Sequence, residues 1–233
     1  MIGSRIAAVR ERIARAAAHA GRPAESITLI AVSKTQPADA VREAFAAGLR
    51  HFGENKVQEA EGKVAALSTL HAEGLRWHMI GHVQGNKGRR AAELFDSVDS
   101  LDDPTLARRL ERGAEATGRQ LSVLVQVDLG NEETKFGVDE EHLIPLLEQV
   151  RGYKAVRVEG LMAIPPFTED PEGSRPFFRR LRELLEAARA RNLLLGSELS
   201  MGMSHDLEVA IEEGATQVRV GTAIFGERKK AID

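Results

Sequence analysis

Residues 121–127 read Leu-Ser-Val-Leu-Val-Gln-Val and are apolar on both faces of an extended chain. A strand with one face in solvent alternates apolar and polar side chains, whereas a strand of a parallel sheet is covered on both faces and is apolar throughout. This stretch therefore indicates a buried parallel strand and, with it, an α/β fold.

Similar apolar runs on either side of this stretch predict eight strands. They lie at 27–34, 51–55, 77–83, 94–99, 121–129, 156–164, 198–203 and 217–225. Between them, apolar residues recur at helical spacing at 37–48, 55–67, 86–93, 104–117, 139–150, 174–191 and 205–214. The alternation of strands and helices is typical of repeated βαβ units.

Eight strands separated by helices favour a closed (β/α)8 barrel of the TIM type. The alternative, an open doubly wound sheet, has a weaker case because no Gly-x-Gly-x-x-Gly motif follows the first strand. An amphipathic stretch at 3–20 predicts an additional N-terminal helix that packs on the barrel. No linker-like segment interrupts the pattern, so we expect residues 1–233 to form a single domain.

Composition excludes several classes of function. The chain has 233 residues, a formal net charge of -3 and no cysteine. Nucleic acid is not an expected partner of a protein with this charge, and disulfides, thiolate nucleophiles and Cys-type metal sites are excluded. No run approaches the roughly 18 apolar residues of a membrane span. We expect a cytoplasmic monomer without a metal ion.

Lys34 is the first candidate for chemistry, because it closes the strand Ile30-Ala-Val-Ser-Lys34. Functional sites of such barrels are built at the C-terminal ends of the strands. Period-two alternation places Lys34 on the same face as Ile30, and Ser33 on the opposite face, toward a helix. If the Ile30 face lines an apolar barrel interior, desolvation favours the neutral, nucleophilic amine. An exposed lysine at a strand end is the alternative.

The last two strands predict a phosphate site. Strand seven runs into Ser200-Met-Gly-Met-Ser204 before a helix, and strand eight ends in Gly221-Thr222. Hydroxyls of Ser204 and Thr222, with backbone N–H groups near Gly221, would surround one anion at the place where such barrels often bind phosphate. A helix N-cap at Ser204 is the alternative, but two donor clusters on adjacent strands favour phosphate binding.

Arg219 shares the face of Gly221 and is therefore expected to point into the barrel, where it needs an acceptor. A pyridine nitrogen or a buried carboxylate would serve. An aldehyde-reactive amine, a phosphate cradle and a partner for a ring nitrogen together match the chemistry of pyridoxal 5′-phosphate, PLP.

Several motifs resemble those of the pyridoxal phosphate homeostasis proteins, in order and over nearly the whole chain. They are Ala31-Val-Ser-Lys-Thr35, Phe52-Gly-Glu-Asn55 with Gln58-Glu59, Trp77-His-Met-Ile-Gly81 with Gln84-Gly-Asn-Lys87, Ser200-Met-Gly-Met-Ser204 with Asp206, and Arg219-Val-Gly-Thr-Ala-Ile-Phe-Gly226. The resemblance implies a barrel like the N-terminal domain of alanine racemase and a cofactor-handling protein that is not an enzyme, with apo PLP-dependent enzymes as possible partners.

The resemblance also implies roles for individual residues. Lys34 would carry PLP as a Schiff base, and Arg219 would face the pyridine nitrogen. The phosphate would lie at Ser204, Gly221 and Thr222. Asn55 and His78 would line the ring side of the pocket. Apart from the resemblance, Met162 and Met201 are further candidates for contact with the cofactor, although a methionine in a strand more often serves the core.

Two enzymatic alternatives use the same residues. An amino-acid racemase needs an acid or base on each face of its substrate, and the racemases with this barrel take one from a second β-domain, which we do not expect in a chain that ends at Asp233. The single tyrosine, Tyr153, is expected at the opposite end of the barrel from Lys34. A Schiff-base aldolase acting on a sugar phosphate is the less favoured alternative.

Overall fold

Eight parallel strands close into one barrel in chain order in the computed structural model, which describes residues 1–130 and 136–227. The strands are β1 (Thr28–Val32), β2 (His51–Glu54), β3 (Arg76–Met79), β4 (Ser97–Leu101), β5 (Leu121–Gln126), β6 (Val156–Met162), β7 (Glu198–Ser200) and β8 (Gln217–Val220). β8 pairs with β1, which closes the barrel. The predicted (β/α)8 barrel is confirmed.

Helices surround the barrel. They are α1 (Ile2–His19), α2 (Ala38–Ala46), α3 (Val57–Ala66), α4 (Ser68–Ala72), α5 (Gly88–Leu94), α6 (Pro104–Thr117), α7 (Glu140–Val150), α8 (Arg175–Ala190), α9 (Leu207–Glu212) and α10 (Thr222–Phe225). Within the described ranges, none of them is both long and apolar enough to cross a membrane.

The main hydrophobic core lies between the strands and this helical layer. Leu29 and Ala31 of β1 belong to it, as do Phe178 and Leu181 of α8. Apolar residues spaced three and four apart on each helix supply the facing surface. The alternate residue of β1, Ile30, is fully buried on the inner side of the barrel.

The predicted N-terminal helix is confirmed as α1, which packs Ile6 and Ile13 into the core. Its polar side also contacts the barrel rim. Arg12 donates to both carboxylate oxygens of Glu208, at 2.6 and 2.8 Å, and to the carbonyl oxygen of Ser204 at 3.0 Å. The helix therefore fastens the loop that follows β7.

Several predicted boundaries are wrong for identifiable reasons. β7 ends at Ser200, before Gly202 with its φ of 89°, and β8 ends at Val220, so that residues 222–225 form α10 and not a strand. β4 begins three residues later than predicted, because Leu94 ends α5 and the strand itself is rich in buried polar residues. The short helix α4 was not predicted.

Candidate functional site

The loop after β1 presents Lys34 at the C-terminal rim of the barrel. The prediction that Ser33 points toward a helix is confirmed, because its hydroxyl donates to Glu54 Oε1 at 2.6 Å and its carbonyl accepts from Lys63 of α3. Lys34 is half-buried, and Thr35 follows it with a φ of 65°. Lys34 therefore lies in the turn after β1, two residues beyond Val32, the last residue of the strand.

Polar donors converge where the loops after β7 and β8 meet. Thr222 Oγ1 lies 3.2 Å from Ser204 Oγ, and the backbone nitrogen of Ala223 lies 3.4 Å from the same oxygen. Two hydroxyls and one N–H group suit a phosphate, whose oxygens accept hydrogen bonds. The structure therefore brings together the predicted pair Ser204 and Thr222 and adds the Ala223 amide, which sequence reasoning did not single out.

Asp206 fixes the shape of the loop that carries Ser204. One of its oxygens accepts from the backbone nitrogen of Met203 at 2.7 Å, and the other accepts from the Ser174 hydroxyl at 3.1 Å. The carboxylate is buried, so both contacts are sheltered from water. Asp206 belongs to one of the motifs that carry the family resemblance. Its two contacts show that it stabilises the loop that carries Ser204.

Gly221 lies beside β1 at the same rim. Its φ of −109° is open to any residue, and a Cβ there would meet Val32 Cβ at 3.4 Å, an ordinary contact. Neither backbone strain nor packing of the protein therefore requires glycine here. A glycine at this position fits a close approach of another molecule to the backbone, as predicted for the phosphate site.

Arg219 points into the barrel, as its shared face with Gly221 predicts. It is 3% exposed and donates to Ser200 Oγ at 2.7 Å and to the carbonyl oxygen of Ala163 at 2.8 Å. Burial lowers the pKa of the guanidinium to about 10, so it stays charged at neutral pH. Its acceptors are neutral, and the nearby carboxylates of Asp99 and Asp206 favour its charge without a direct ion pair among the described contacts.

Comparisons with known proteins show which family the chain is similar to. The model of the alanine racemase N-terminal domain matches residues 5–229. A pyridoxal phosphate homeostasis protein of Pseudomonas aeruginosa is 50% identical over 97% of this chain and 96% of its own length. Another, of Aquifex aeolicus, is 46% identical over 97% of both chains.

The chain belongs to the family of pyridoxal phosphate homeostasis proteins.

A solved structure also supports the assignment of the chain to this family. PipY of Synechococcus elongatus, in a structure with PLP bound, is 41% identical and superposes with a TM-score of 0.85 over 97% of this chain and 100% of that one. The resemblance noted from the sequence motifs is thus confirmed at the level of the family and of the whole barrel.

A cavity of about 710 Å³ opens on the same rim, beside strands two to six. Asn55, predicted to line the ring side of a cofactor pocket, is one of its walls, together with Ile80 and Ile164. Gly81 packs against the Asn55 backbone so closely that a Cβ would lie 2.4 Å from the Asn55 carbonyl oxygen. Asn55 is therefore held at the mouth by a contact that only glycine allows.

Two predicted site residues lie away from this mouth. Met201 is fully buried in the core between strands and helices, because Ser200 faces inward and its neighbour must face outward. His78 faces inward but lies deeper, where it lines a second cavity of about 370 Å³ at the N-terminal end of the barrel. Of the other predicted residues, Ser204 and Thr222 are in contact and Gly221 lies beside Val32, whereas Asn55 lines the 710 Å³ cavity, whose walls do not include that pair.

His78 belongs to a buried polar chain that the sequence did not reveal. His78 Nδ1 lies 3.1 Å from Asp99 Oδ2, and His78 Nε2 lies 2.9 Å from His51 Nδ1. Asp99 is fully buried and also accepts from the Ser97 hydroxyl. The condition of an apolar interior therefore holds only in part, because Ile30 and Ile80 meet beside Gly53, whereas the ionisable chain lies deeper in the barrel.

The buried chain makes stability depend on pH. Burial, and then the nearby charges of His78 and Arg76, lower the pKa of His51 to about 4, from an ordinary value near 6.5. Between these two values the unfolded chain binds a proton that the folded chain does not, so stability falls as pH falls through this window. Replacing the imidazole by a neutral amide removes this contribution.

We predict that His51→Gln loses less stability between pH 7 and pH 5 than the unmodified protein. Denaturant unfolding at the two pH values measures the difference. An equal loss in the two proteins would show that His51 does not titrate as its surroundings indicate.

Proposed function

We propose that this protein binds PLP as a Schiff base on Lys34 and holds the cofactor for delivery, without turning over a substrate of its own. The observation that carries the proposal is the convergence of Ser204 Oγ, Thr222 Oγ1 and the Ala223 amide on the loops beside β1, the strand that precedes Lys34. PLP has an aldehyde that condenses with an amine and a phosphate that needs such donors.

The residues present fit the cofactor. Register places Ile30 opposite Arg219, and Val32 lies against Gly221, so the loops that carry the lysine and the phosphate donors are neighbours. Arg219, charged and held by two neutral acceptors, would supply positive charge below the ring and donate toward its nitrogen. PipY, a member of the same family, has a structure with PLP bound.

The position of Tyr153 supports a carrier over a racemase. The only tyrosine of the chain lies just before β6. Its neighbours Lys154 and Ala155 are tied through their backbone nitrogens to Glu111. Because the strands are parallel, this is the opposite end of the barrel from Lys34. Tyr153 therefore cannot serve as the second acid or base that a racemase needs at the reacting carbon.

The proposal includes four narrower statements. We propose that the chain is a single domain, that it is a monomer, that it acts in the cytoplasm and that apo PLP-dependent enzymes are its recipients. The relatives' names as homeostasis proteins support a role in supplying or buffering the cofactor.

We predict that Lys34→Ala abolishes the visible absorbance of a protein-bound Schiff base while leaving the fold intact, because Lys34 is half-buried in the turn after β1 and is not part of the hydrophobic core. Absorbance spectra after titration with PLP, followed by borohydride reduction and peptide mapping, measure this. Lys154→Ala, at the other end of the barrel, is the control. A reduced adduct at another lysine in Lys34→Ala would contradict the assignment, and absence of colour in the unmodified protein would favour the aldolase.

We predict that Ser204→Ala and Thr222→Ala each weaken PLP binding by roughly 1.5–3 kcal/mol, the contribution of a hydrogen bond to a charged group. Fluorescence titration with PLP and with pyridoxal, which lacks the phosphate, measures the effect. Pyridoxal should bind the variants as it binds the unmodified protein. Equal losses for both ligands would place the phosphate elsewhere.

We predict that the PLP-loaded protein exchanges the α-proton of L- or D-alanine no faster than PLP in solution. A second acid or base typically contributes about 10²- to 10⁴-fold, and Lys34 serves one face only. Incubation in deuterated water, followed by NMR and chiral chromatography, measures exchange and racemisation. Turnover that disappears in Lys34→Ala would make the protein an enzyme.

A further inference from the structure

A buried charged cluster lies directly behind Lys34, on the helix side of β1 and β2. Its centre is the Lys63 ammonium, whose side chain is 9% exposed. Lys63 Nζ donates to the carbonyl oxygen of Ser33 at 2.7 Å, to Glu54 Oε1 at 2.9 Å and to Glu59 Oε1 at 3.0 Å. An ammonium has three N–H donors, and here each has an acceptor from a different residue.

Glu54 makes the second contact to Ser33, the residue before Lys34. It is fully buried, and its Oε1 also accepts from the Ser33 hydroxyl at 2.6 Å. Ser33 is therefore held at two points, through its side chain by Glu54 and through its carbonyl oxygen by Lys63. Since both contacts lie on the outer side of the strand, they leave the inner side to the next residue.

Glu59 holds the second neighbour of Lys34. Its Oε1 accepts a hydrogen bond from the backbone nitrogen of Thr35. Thr35 has a φ of 65°, a left-handed conformation that is costly for a β-branched residue and persists only where surrounding contacts impose it. The ammonium of Lys63 and the Thr35 N–H group lower the pKa of Glu59, against the opposing effect of burial, and so favour the ionised acceptor.

Stability alone does not account for such a cluster. A buried ion pair is seldom more stabilising than apolar residues of the same volume, and a strained threonine costs free energy. Every contact of Glu54, Glu59 and Lys63 described above ends on one of the two residues that flank Lys34 or on another member of the cluster. We propose that these three residues are positioning residues that fix the backbone on both sides of Lys34 and thereby aim its amine at the cofactor aldehyde.

This proposal rests on the proposed function, because it requires Lys34 to be the residue that bonds PLP. A fixed backbone restricts the directions from which the amine can approach, and correct orientation of reacting groups accelerates bond formation. The expected signature is therefore slow Schiff-base formation with intact recognition of the phosphate.

Glu59 offers the sharpest test, because its side chain is 28% exposed and the buried ammonium of Lys63 keeps Glu54 as its ionic partner when Glu59 is replaced. Glu59→Gln keeps an oxygen that accepts from Thr35 N–H, whereas Glu59→Leu removes it. Glu111→Leu is the matched control: Glu111 also accepts from backbone nitrogens, those of Lys154, Ala155 and Val156, but at the other end of the barrel.

Stopped-flow absorbance measures the rate constant of Schiff-base formation with PLP, and peptide mapping after borohydride confirms the bonded lysine. Titration with pyridoxine 5′-phosphate, which carries an alcohol in place of the aldehyde, measures binding without bond formation. We expect Glu59→Leu to lower the rate constant about tenfold or more, Glu59→Gln to retain most of it, and both to bind pyridoxine 5′-phosphate as the unmodified protein does.

The double variant Glu54→Gln/Lys63→Met replaces the buried pair by neutral groups of similar size and should show the same slow reaction. A normal rate constant in Glu59→Leu would overturn the positioning role. Equal slowing in Glu111→Leu at a matched melting temperature, or a parallel loss of pyridoxine 5′-phosphate binding, would also overturn it, because the effect would then be general loosening. Failure of the unmodified protein to bond PLP at Lys34 would instead contradict the proposed function.

Discussion

Closure of eight parallel strands is the constraint on which the rest of the molecule depends. Pairing of β8 with β1 makes the last strand a neighbour of the first, and β7 lies beside β8. Because all strands run in the same direction, their C-terminal ends form one rim. Lys34, Ser204 and Thr222, which follow three different strands of the chain, therefore share this rim, and the Ser204 and Thr222 hydroxyls are 3.2 Å apart.

The same closure imposes a cost on the interior of the barrel. Side chains deep in the interior, such as Arg219 and Asp99, are buried, so each polar group there needs a partner. Arg219 finds Ser200 and a backbone carbonyl, and His78 finds Asp99. An interior lined only by apolar side chains would not need these polar partners. The polar interior is consistent with a barrel that holds a charged, nitrogen-containing ring above it.

The sequence predicted the barrel and most of its rim, because strand periodicity decides which residues share a face. Alternation correctly directed Ser33 outward and Arg219 inward. It failed where a glycine ends a strand early, as Gly202 does, and where inward polar residues conceal a strand, as in β4. The contacts of Lys63 could not be foreseen, because they join a helix to two strand ends and depend on tertiary packing. Met201 lies just after β7 and packs in the core, and its place at a strand end in the sequence did not say which face it would occupy.

A structure of the protein determined with PLP tests the central claim most directly. We expect continuous density between Lys34 Nζ and the cofactor, with the phosphate within hydrogen-bonding distance of Ser204 Oγ, Thr222 Oγ1 and the Ala223 nitrogen, and the ring nitrogen toward Arg219. A cofactor bonded to another lysine, or bound in the cavity at the N-terminal end of the barrel beside His51 and His78, would contradict it.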